Sequence, residues 1–496
     1  MKTIQEYIDE RPAWPDGTKL ASAPMTQMQW LIWSLAAAGK FFVGYVVFMT
    51  GITLPLISRE FNIGSAQNGL ISAASLVGML LGAVGLGGIS DRFGRKPMFI
   101  LEMIIFVAFL VLLVLCSNFL CVVICLFGLG LALGCDYPTA HLIISENIPS
   151  VSRGRLVLAA FGFQALGALG GTAVGFLVLS SLADLSAWRW MYATAVIPAL
   201  AVTIGRFYVT ESANWLQARG ALEEAQRAAT RLLVRNPQYP TNIRLVQHPM
   251  PTTEVNNENA GFAALFARHN RRATIFASVP WFLQDLGTYG IGIFTPTILA
   301  ATIGQRMDHV RSIADLIADG IVAAKGAALI TLLLIMGIIF AVMLADRVGR
   351  ISLQVIGFFG CAAGLLLASF STYASGSTKL FLIGAGFMLF NFMTNLGPNA
   401  QTYLLAGEVF PTAIRGKGAG FAAAVGKIGA VATAFLFPIF LTSIGTTSLL
   451  YILVCTSVLG AIVTWIYRIE TTGMNLDEIE LKESNEAQDL TVVTTG

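Results

Sequence analysis

The stretch Asp91-Arg92-Phe93-Gly94-Arg95 recurs in the second half of the chain as Asp346-Arg347-Val348-Gly349-Arg350. Each copy joins two long apolar segments. The glycine permits a tight turn between two helices. The arginines can stay in water and still reach carboxylates at neighbouring helix ends. The duplication therefore predicts a protein built from two halves of common design.

A second pair of charges repeats at the same spacing. Glu146 precedes Arg153 by seven residues, and Glu408 precedes Arg415 by seven. Ion pairs between such groups can hold one conformation and break in another. Simple anchoring of positive loops in the cytoplasm explains one copy but explains two matched copies poorly. We therefore predict a conformational gate formed by Asp91, Arg92, Arg95, Glu146, Arg153, Asp346, Arg347, Arg350, Glu408 and Arg415.

The composition places the chain in a membrane. Of 496 residues, 55% are hydrophobic and only 12% are charged, and the mean hydropathy is +0.72. Soluble globular proteins carry about 25% charged residues, so a water-soluble enzyme and a disordered chain are both excluded. The net charge of +3 is small, and no basic run with interleaved aromatic residues is present. We therefore expect a lipid bilayer, and no nucleic acid, as the partner.

Twelve apolar segments are long enough to cross a bilayer, which takes roughly 20 residues per helix. We number them spans one to twelve, at 31–57, 66–89, 98–116, 119–146, 156–181, 187–209, 273–301, 319–344, 351–371, 378–407, 419–443 and 448–468. The predicted fold is an all-α membrane protein with two pseudo-symmetric six-helix bundles. In such proteins the substrate binds near the bilayer midplane, between halves that rock.

The apolar segments divide the chain into five regions. These are an N-terminal arm (1–30), a six-helix bundle (31–209), a linker (210–272), a second six-helix bundle (273–468) and a tail (469–496). The arm lacks the apolar core of a signal peptide. The arginines of the linker indicate short amphipathic helices against the cytoplasmic face.

The distribution of positive charge predicts the orientation. One set of loops, together with both termini, carries 21 Lys and Arg residues, and the opposite set carries four. Cytoplasmic loops are enriched in Lys and Arg. We therefore expect a multi-pass protein of the cell (inner or plasma) membrane with both termini in the cytoplasm.

Four charged residues lie deep within apolar helices: Lys40, Asp136, Asp285 and Lys427. A charge at the centre of a spanning helix costs about 2.5–3.5 kcal/mol on insertion scales, so it should face a cavity or a partner. The four residues fall on four different spans. A purely structural ion pair is the alternative explanation for any one of them. Together they favour a polar cavity between the halves.

Span seven presents a ring, an acid and a phenol on one face, because Trp281, Asp285 and Tyr289 are four residues apart. This combination suits a polar ligand, and desolvation would favour a proton on Asp285. We therefore treat Asp285 as a candidate proton carrier and Asp136 as the competing one. Through the repeat, Lys40 aligns with Trp281. It is therefore expected to face Asp285, either as its ion-pair partner or as an anion ligand.

Other polar or reactive residues within the spans receive weaker interpretations. Tyr45 is a plausible cavity residue. His141 is about 140° around the helix from Asp136, so it is interpreted as a packed or capping histidine. Glu102 and Arg206 lie near predicted span ends and are expected to reach towards water or loops. All six cysteines fall in apolar stretches and are expected to be small buried hydrophobes without a redox role.

The loop motifs resemble those of a known family. Gly87-Gly88-Ile89-Ser90-Asp91-Arg92-Phe93-Gly94-Arg95-Lys96 is similar to the signature loop of the major facilitator superfamily. Thr210-Glu211-Ser212-Ala213-Asn214-Trp215-Leu216 is similar to the P-E-S-P-R-W-L motif of its sugar-porter and phosphate:proton symporter branch, with departures at Thr210, Ala213 and Asn214. Glu470-Thr471-Thr472-Gly473 resembles that branch's tail motif. The resemblance covers the whole chain.

Within the spans the resemblance is greatest to phosphate:proton symporters. Gly134-Cys135-Asp136-Tyr137-Pro138 resembles their fourth span, and Trp281-Phe282-Leu283-Gln284-Asp285 their seventh. This resemblance implies an anion site built from Tyr137, Gln164, Trp281, Asp285, Tyr289 and Asn399, with Asp136 and Lys427 in coupling. The chain departs from the family in span one, where Val43 and Val46 replace two carboxylates and Lys40 is added.

These observations predict a secondary transporter that uses alternating access. We expect proton-coupled uptake of a small polar anion, such as phosphate, a sugar acid or another organic acid. A hexose symporter, a proton-driven efflux antiporter and a nutrient sensor are the alternatives, in that order. The substrate site would include Lys40, Tyr45 and Lys427 beside the residues of the anion site. We expect a monomer with no enzymatic activity, no cofactor and no metal.

Overall fold

The computed structural model describes residues 2–11, 23–182, 184–234, 243–245, 262–303, 321, 332–345, 347–411 and 414–471. Three predictions concern residues outside these ranges. They are the gate residue Asp346, most of the first half of span eight, and the tail beyond residue 471.

The first half of the molecule contains spans one to six. They are Gln27–Glu60, Ser65–Phe93, Arg95–Val114, Phe119–Asn147, Ser150–Ser181 and a broken sixth span, Ala187–Ala193 followed by Val196–Phe207. Span one begins at a capping box, in which Thr26 and Gln29 satisfy each other's backbone N–H groups. Gly94 separates spans two and three at φ +108°, a conformation that favours glycine.

The second half contains spans seven to twelve. They are Arg271–Ile303, Leu332–Ala345, Arg350–Ser369, the pair Gly376–Leu396 and Pro398–Ala406, then Arg415–Ser443 and Gly445–Tyr467. Span ten breaks at Gly397-Pro398, because proline offers no N–H group to continue the helix. Span five begins at Ser150, six residues before the apolar segment, because polar residues extend the helix.

Ten of the helices within the described ranges are long and apolar enough to cross a membrane. Leu332–Ala345 is a shorter apolar helix, and Arg271–Ile303 supplies span seven. The predicted twelve-span fold with two six-helix halves is confirmed. Close helix packing depends on glycine. A side chain at Gly44 of span one would collide with the backbone of Gln164, and one at Gly167 with the backbone of Phe41.

Short helices pack at one end of the bundle, which we call the gate face because the Asp91–Arg95 and Arg347–Arg350 loops lie there. They are the arm helix Ile4–Asp9 and the linker helices Ala213–Ala218 and Leu222–Leu232. Asp9 accepts hydrogen bonds from the backbone N–H and the hydroxyl of Ser150, both at 2.7 Å, and so caps span five. The predicted amphipathic linker helices are present, with Ala225 and Ala229 buried.

The cysteines differ from expectation at the opposite end of the bundle, which we call the far face. Cys116 and Cys121 form a disulfide with their Cα atoms 5.6 Å apart. The loop between spans three and four is so short that it brings the two residues together. The Sγ atom of Cys125 lies 3.6 Å from that of Cys116. The prediction of no redox role is therefore wrong for Cys116 and Cys121.

Candidate functional site

The second half contributes a buried ion pair between spans seven and eleven. The ammonium Nζ of Lys427 lies 2.9 Å from Asp285 Oδ2 and 2.9 Å from the hydroxyl oxygen of Tyr289. All three side chains are buried, or nearly so. The four-residue spacing of Asp285 and Tyr289 places both on the face of span seven that meets Lys427. Asp285 has one ion-pair partner among the described residues.

The first half contributes a larger cluster of buried charges. Lys40 Nζ lies 2.7 Å from Asp136 Oδ2 and donates to the Asp136 backbone carbonyl at 3.0 Å. Arg206 donates to Asp136 Oδ1 at 3.3 Å and to Glu102 Oε1 at 2.5 Å. Asp136 therefore has two cationic partners. We call these four residues the first-half cluster.

Two expectations about these charges were wrong. Lys40 does not pair with Asp285, because span four supplies Asp136 beside it and Asp285 is occupied by Lys427. Glu102 and Arg206 do not reach towards water, since they are 1% and 0% exposed. The Arg206 guanidinium lies 3.5 Å from the centre of the Phe99 ring and donates to the Phe99 carbonyl. The sequence does contain a signal for this ion pair, because Glu102 is an acid on span three and Arg206 is a base on span six.

Tyr137 connects the two charged groups. Its ring centre lies 4.2 Å from Lys40 Nζ and 5.1 Å from Lys427 Nζ, distances typical of cation–π contacts. The Trp281 ring is 6.0 Å away, and the Tyr403 ring is 6.1 Å away. The two lysines from opposite halves therefore share one aromatic ring.

Sequence reasoning missed Tyr403 and Phe161. Their rings stack at 4.7 Å and join span ten to span five. Tyr403 also lies 4.9 Å from Lys40 Nζ. Tyr403 lies one helical turn after the predicted site residue Asn399, and this spacing is the sequence feature that could have identified Tyr403. The stack lies next to the Tyr137 site.

An amide and hydroxyl network lines part of spans seven and ten. Gln284 donates to Thr288 at 2.6 Å and to Asn399 at 3.3 Å, and Asn399 donates to Asn395 at 2.6 Å. Thr288 in turn lies 3.1 Å from Thr394. Asn399 is therefore held by neighbouring side chains of its own half.

Two other predicted binding residues, Tyr45 and Gln164, form no hydrogen bond with the paired charges in the described part of the chain. The hydroxyl of Tyr45 donates to the Met191 carbonyl at 2.9 Å and lies 2.6 Å from Thr194, so Tyr45 faces span six. Gln164 Oε1 is buried and has no hydrogen-bond partner among the described residues. Buried polar atoms of this kind are normally satisfied by water or a ligand.

The gate residues of the first half form a buried network. Arg95 lies 2.6 Å from Asp91 and 3.0 Å from Glu146. Asp91 also accepts the backbone N–H of Lys417 at 3.0 Å, a contact between the two halves. Glu211 accepts the N–H groups of Arg95 and Lys96, and thereby caps span three. Burial raises the pKa of Glu211.

The second half repeats part of this network. Arg350 pairs with Glu408, and both bond to Thr471 in the chain beyond span twelve. Arg153 donates to Ser150 at 2.6 Å, and Arg415 to the Phe410 carbonyl at 3.0 Å. Arg92 and Arg347, the first arginine of each loop, are exposed. The buried ion pairs are therefore made by the last arginine of each loop.

Comparisons with known proteins identify the family. Residues 32–482 match the family described as "Sugar (and other) transporter". YaaU of Escherichia coli, a putative metabolite transport protein, is 27% identical over 90% of this chain and 93% of its own. A putative inorganic phosphate transporter of Schizosaccharomyces pombe is 26% identical over 92% of this chain and 89% of its own.

A solved structure shares the fold. The proton:xylose symporter XylE, bound to 6-bromo-6-deoxy-D-glucose, gives a TM-score of 0.75 at 21% identity. The match covers 91% of this chain and 98% of that one. The chain is therefore a member of the "Sugar (and other) transporter" family with the fold of a major facilitator superfamily symporter, and it is a membrane transport protein and not an enzyme.

Proposed function

We propose that this protein takes up a small organic or inorganic anion together with a proton. The observation that carries the proposal is the balance of buried charge around Tyr137. Lys40, Arg206 and Lys427 are matched by Glu102, Asp136 and Asp285, three of each sign. Buried charges are tolerated in a membrane when they are paired.

Charge balance favours an anion over a neutral solute. A monoanion that enters with one proton leaves the buried charge unchanged. A neutral sugar that enters with one proton leaves an excess positive charge in a site of low dielectric constant, which is costly. Co-binding of a proton and an anion is therefore the cheapest way to load this site, and it couples the two.

Asp285 and Lys427 would perform the coupling. A proton on Asp285 neutralises the partner of Lys427 and frees the ammonium group for an anion. Tyr289, which lies 2.9 Å from Lys427 Nζ, would donate its hydroxyl to the same anion. Lys40 of the first half lies over the same Tyr137 ring as Lys427 of the second half and would draw the two halves together around the ligand. Trp281 and Asn399 stay in this proposal as neighbours of that site, whereas Tyr45 bonds to span six and Gln164 Oε1 has no described partner.

The gate residues would govern access from the cytoplasm. The Asp91–Lys417 contact at the gate face and the Phe161–Tyr403 stack beside the Tyr137 site both join the halves. Separation of the halves there would break these contacts and open the site. Arg95, Glu146, Arg350 and Glu408 would hold the loops in the closed arrangement.

The orientation belongs to the same proposal. Disulfides persist in oxidising compartments, so the bond between Cys116 and Cys121 supports an extracytoplasmic far face. The gate face, both termini and the linker 210–272 would then be cytoplasmic. The test introduces a cysteine into the linker and treats intact cells with a membrane-impermeant thiol reagent. Labelling of that cysteine would contradict this orientation.

A neutral sugar is the second candidate. The amide and hydroxyl network of Gln284, Thr288, Asn395 and Asn399 is the kind of surface that binds sugar hydroxyls. The named family includes sugar transporters, and the Schizosaccharomyces pombe relative supports an anion. In the described structure the amide side chains bond to one another, whereas Lys40 and Lys427 are paired with carboxylates that a proton can neutralise. This contrast favours the anion over the sugar.

A thermal-stability screen of the purified protein tests the proposal. A ligand that binds the native state raises the melting temperature, by an amount set by its concentration relative to its Kd. We expect stabilisation by phosphate or an organic acid, stronger at pH 6 than at pH 8. Stabilisation by a neutral hexose or pentose, and by none of the anions, would contradict it.

A further inference from the structure

His141 lies at the boundary between the two halves, one helical turn beyond Tyr137 on span four. Its ring is 1% exposed and lies edge-on to the Tyr403 ring, with centres 5.3 Å apart. It also lies against Gly407 at the end of span ten, where any side chain would collide with the imidazole. The closed gate face is therefore packed around this ring.

Neither ring nitrogen of His141 has a hydrogen-bond partner among the described residues. A neutral imidazole in this position leaves one donor and one acceptor unsatisfied. A protonated ring would leave two donors and a full charge unsatisfied, which costs far more than burying the neutral ring. The packed arrangement therefore tolerates only the neutral form.

The charged groups around His141 strengthen this preference. Four cations add positive potential at His141: Lys40 on span one, Arg153 on span five, Arg350 on span nine and Arg415 on span eleven. The carboxylates near them are already engaged, Asp136 with Lys40 and Glu408 with Arg350. Tyr403, on span ten, contributes a neutral ring. A proton on His141 would add another positive charge to a positive environment.

From this geometry we infer that His141 is a second proton-binding site, separate from Asp285, which holds the gate face open when it is protonated. Separation of the halves withdraws Tyr403 and Gly407 and exposes both ring nitrogens to water. There the imidazole can take up a proton. The gate cannot repack around the ring until that proton has left.

The linkage has a definite sign and size. Only the open state binds the extra proton, so acid favours the open state. A histidine in water titrates near pH 6.5. Below that value the ratio of open to closed protein should rise by up to about tenfold for each pH unit. If proton-coupled uptake acidifies the cytoplasm, closure of the gate face should therefore slow down, and with it the return of the empty carrier to the opposite side.

Interlabel distance measured by pulsed electron paramagnetic resonance tests this inference without any substrate. Nitroxide labels are attached at Ala218→Cys, on the first linker helix, and Ala263→Cys, in the short helix before span seven. Both positions are exposed at the gate face. The first linker helix packs on the first half through Trp215 and Asp91, and the short helix packs on the second half through Phe266 and Phe421. Cys455, the exposed free cysteine, is replaced by serine. The protein is reconstituted in nanodiscs at pH 8 and at pH 5.5.

The labelled protein that keeps His141 should show one short interlabel distance at pH 8 and, at pH 5.5, a second and longer distance in part of the population. His141→Gln should keep the short distance at both pH values. His269→Gln removes an exposed histidine before span seven and serves as the matched control, which should respond as the unmodified chain does. His141→Leu provides a second non-titrating variant, and melting temperatures verify that both fold.

A pH response that survives in both His141 variants would overturn the inference and assign the response to the carboxylate pairs. Absence of any pH response in the unmodified chain would overturn it as well. Because no substrate is present, either failure leaves the proposed anion uptake untouched. Conversely, a finding that the transported substrate is a neutral solute would leave the inference about His141 unchanged.

Discussion

The two groups of buried charge differ in how firmly each residue is held. In the first-half cluster, Asp136 has two cationic partners, and Arg206 is bonded to two carboxylates and the Phe99 carbonyl. In the second half, Asp285 has Lys427 as its one ion-pair partner among the described residues. Protonation of Asp285 has to overcome one cation, Lys427, whereas protonation of Asp136 has to overcome two, Lys40 and Arg206. The second-half pair is therefore the better suited to exchange a proton for an anion.

The largest effect should follow from breaking the first-half cluster. Arg206→Met removes the shared partner of Glu102 and Asp136, which leaves Glu102 without its ion pair and Asp136 with Lys40 alone. We expect a loss of about 3–5 kcal/mol in stability, seen as a lower melting temperature in detergent. Lys427→Met is the matched variant, and its loss should be smaller because Asp285 can take up a proton. Equal losses would remove the distinction between the two groups.

Ligand affinity should show the opposite ranking. Lys427→Gln removes a charged hydrogen-bond donor worth about 1.5–3 kcal/mol, or roughly 10- to 150-fold in Kd. Lys40→Gln should weaken binding less, because Lys40 remains engaged by Asp136 in the first-half cluster. Isothermal titration with the anion that stabilises the unmodified protein measures both. A larger loss in Lys40→Gln would assign the anion to the first half.

The gate loops should affect transport rate more than binding. Arg95→Gln breaks contacts to Asp91 and Glu146, and Arg350→Gln breaks its contact to Glu408. We expect both to slow uptake several-fold while the Kd in detergent changes little. The exposed Arg92→Gln and Arg347→Gln are controls with smaller effects. Loss of binding in a folded Arg95→Gln protein would contradict the gating role.

The smallest effect is expected for Tyr45. Its hydroxyl bonds to Met191 and Thr194 on span six, so Tyr45→Phe removes interactions within the first half. We expect about 1 kcal/mol of lost stability and an unchanged Kd. A clear loss of affinity, measured by the same titration, would restore Tyr45 to the binding site.

Periodicity and repetition were sufficient to predict the fold. The duplicated Asp91–Arg95 motif and twelve apolar segments establish two halves, because membrane thickness fixes the length of each span. The depth of Asp285 and Lys427 likewise predicted buried polar partners. Which residues form pairs could not be predicted, since helix rotation and packing decide this. Lys40 was therefore assigned to the wrong acid.

Hydropathy also misplaced charges near span ends. Glu102 and Arg206 look like interfacial residues in the sequence, but spans three and six bring them together inside the first half. The disulfide was missed for a related reason. Cys116 and Cys121 lie in apolar stretches, and their pairing depends on a tight turn between two spans.

Proton-driven uptake by Asp285→Asn in proteoliposomes tests the central claim most directly. The asparagine mimics a permanently protonated acid, so it should bind the anion without releasing a proton. We expect no uphill accumulation under an imposed proton gradient, together with retained exchange of internal for external anion. Asp136→Asn is the matched variant and should retain some uphill accumulation. Normal proton-driven accumulation by Asp285→Asn would contradict the claim and leave the Asp285–Lys427 pair a structural contact.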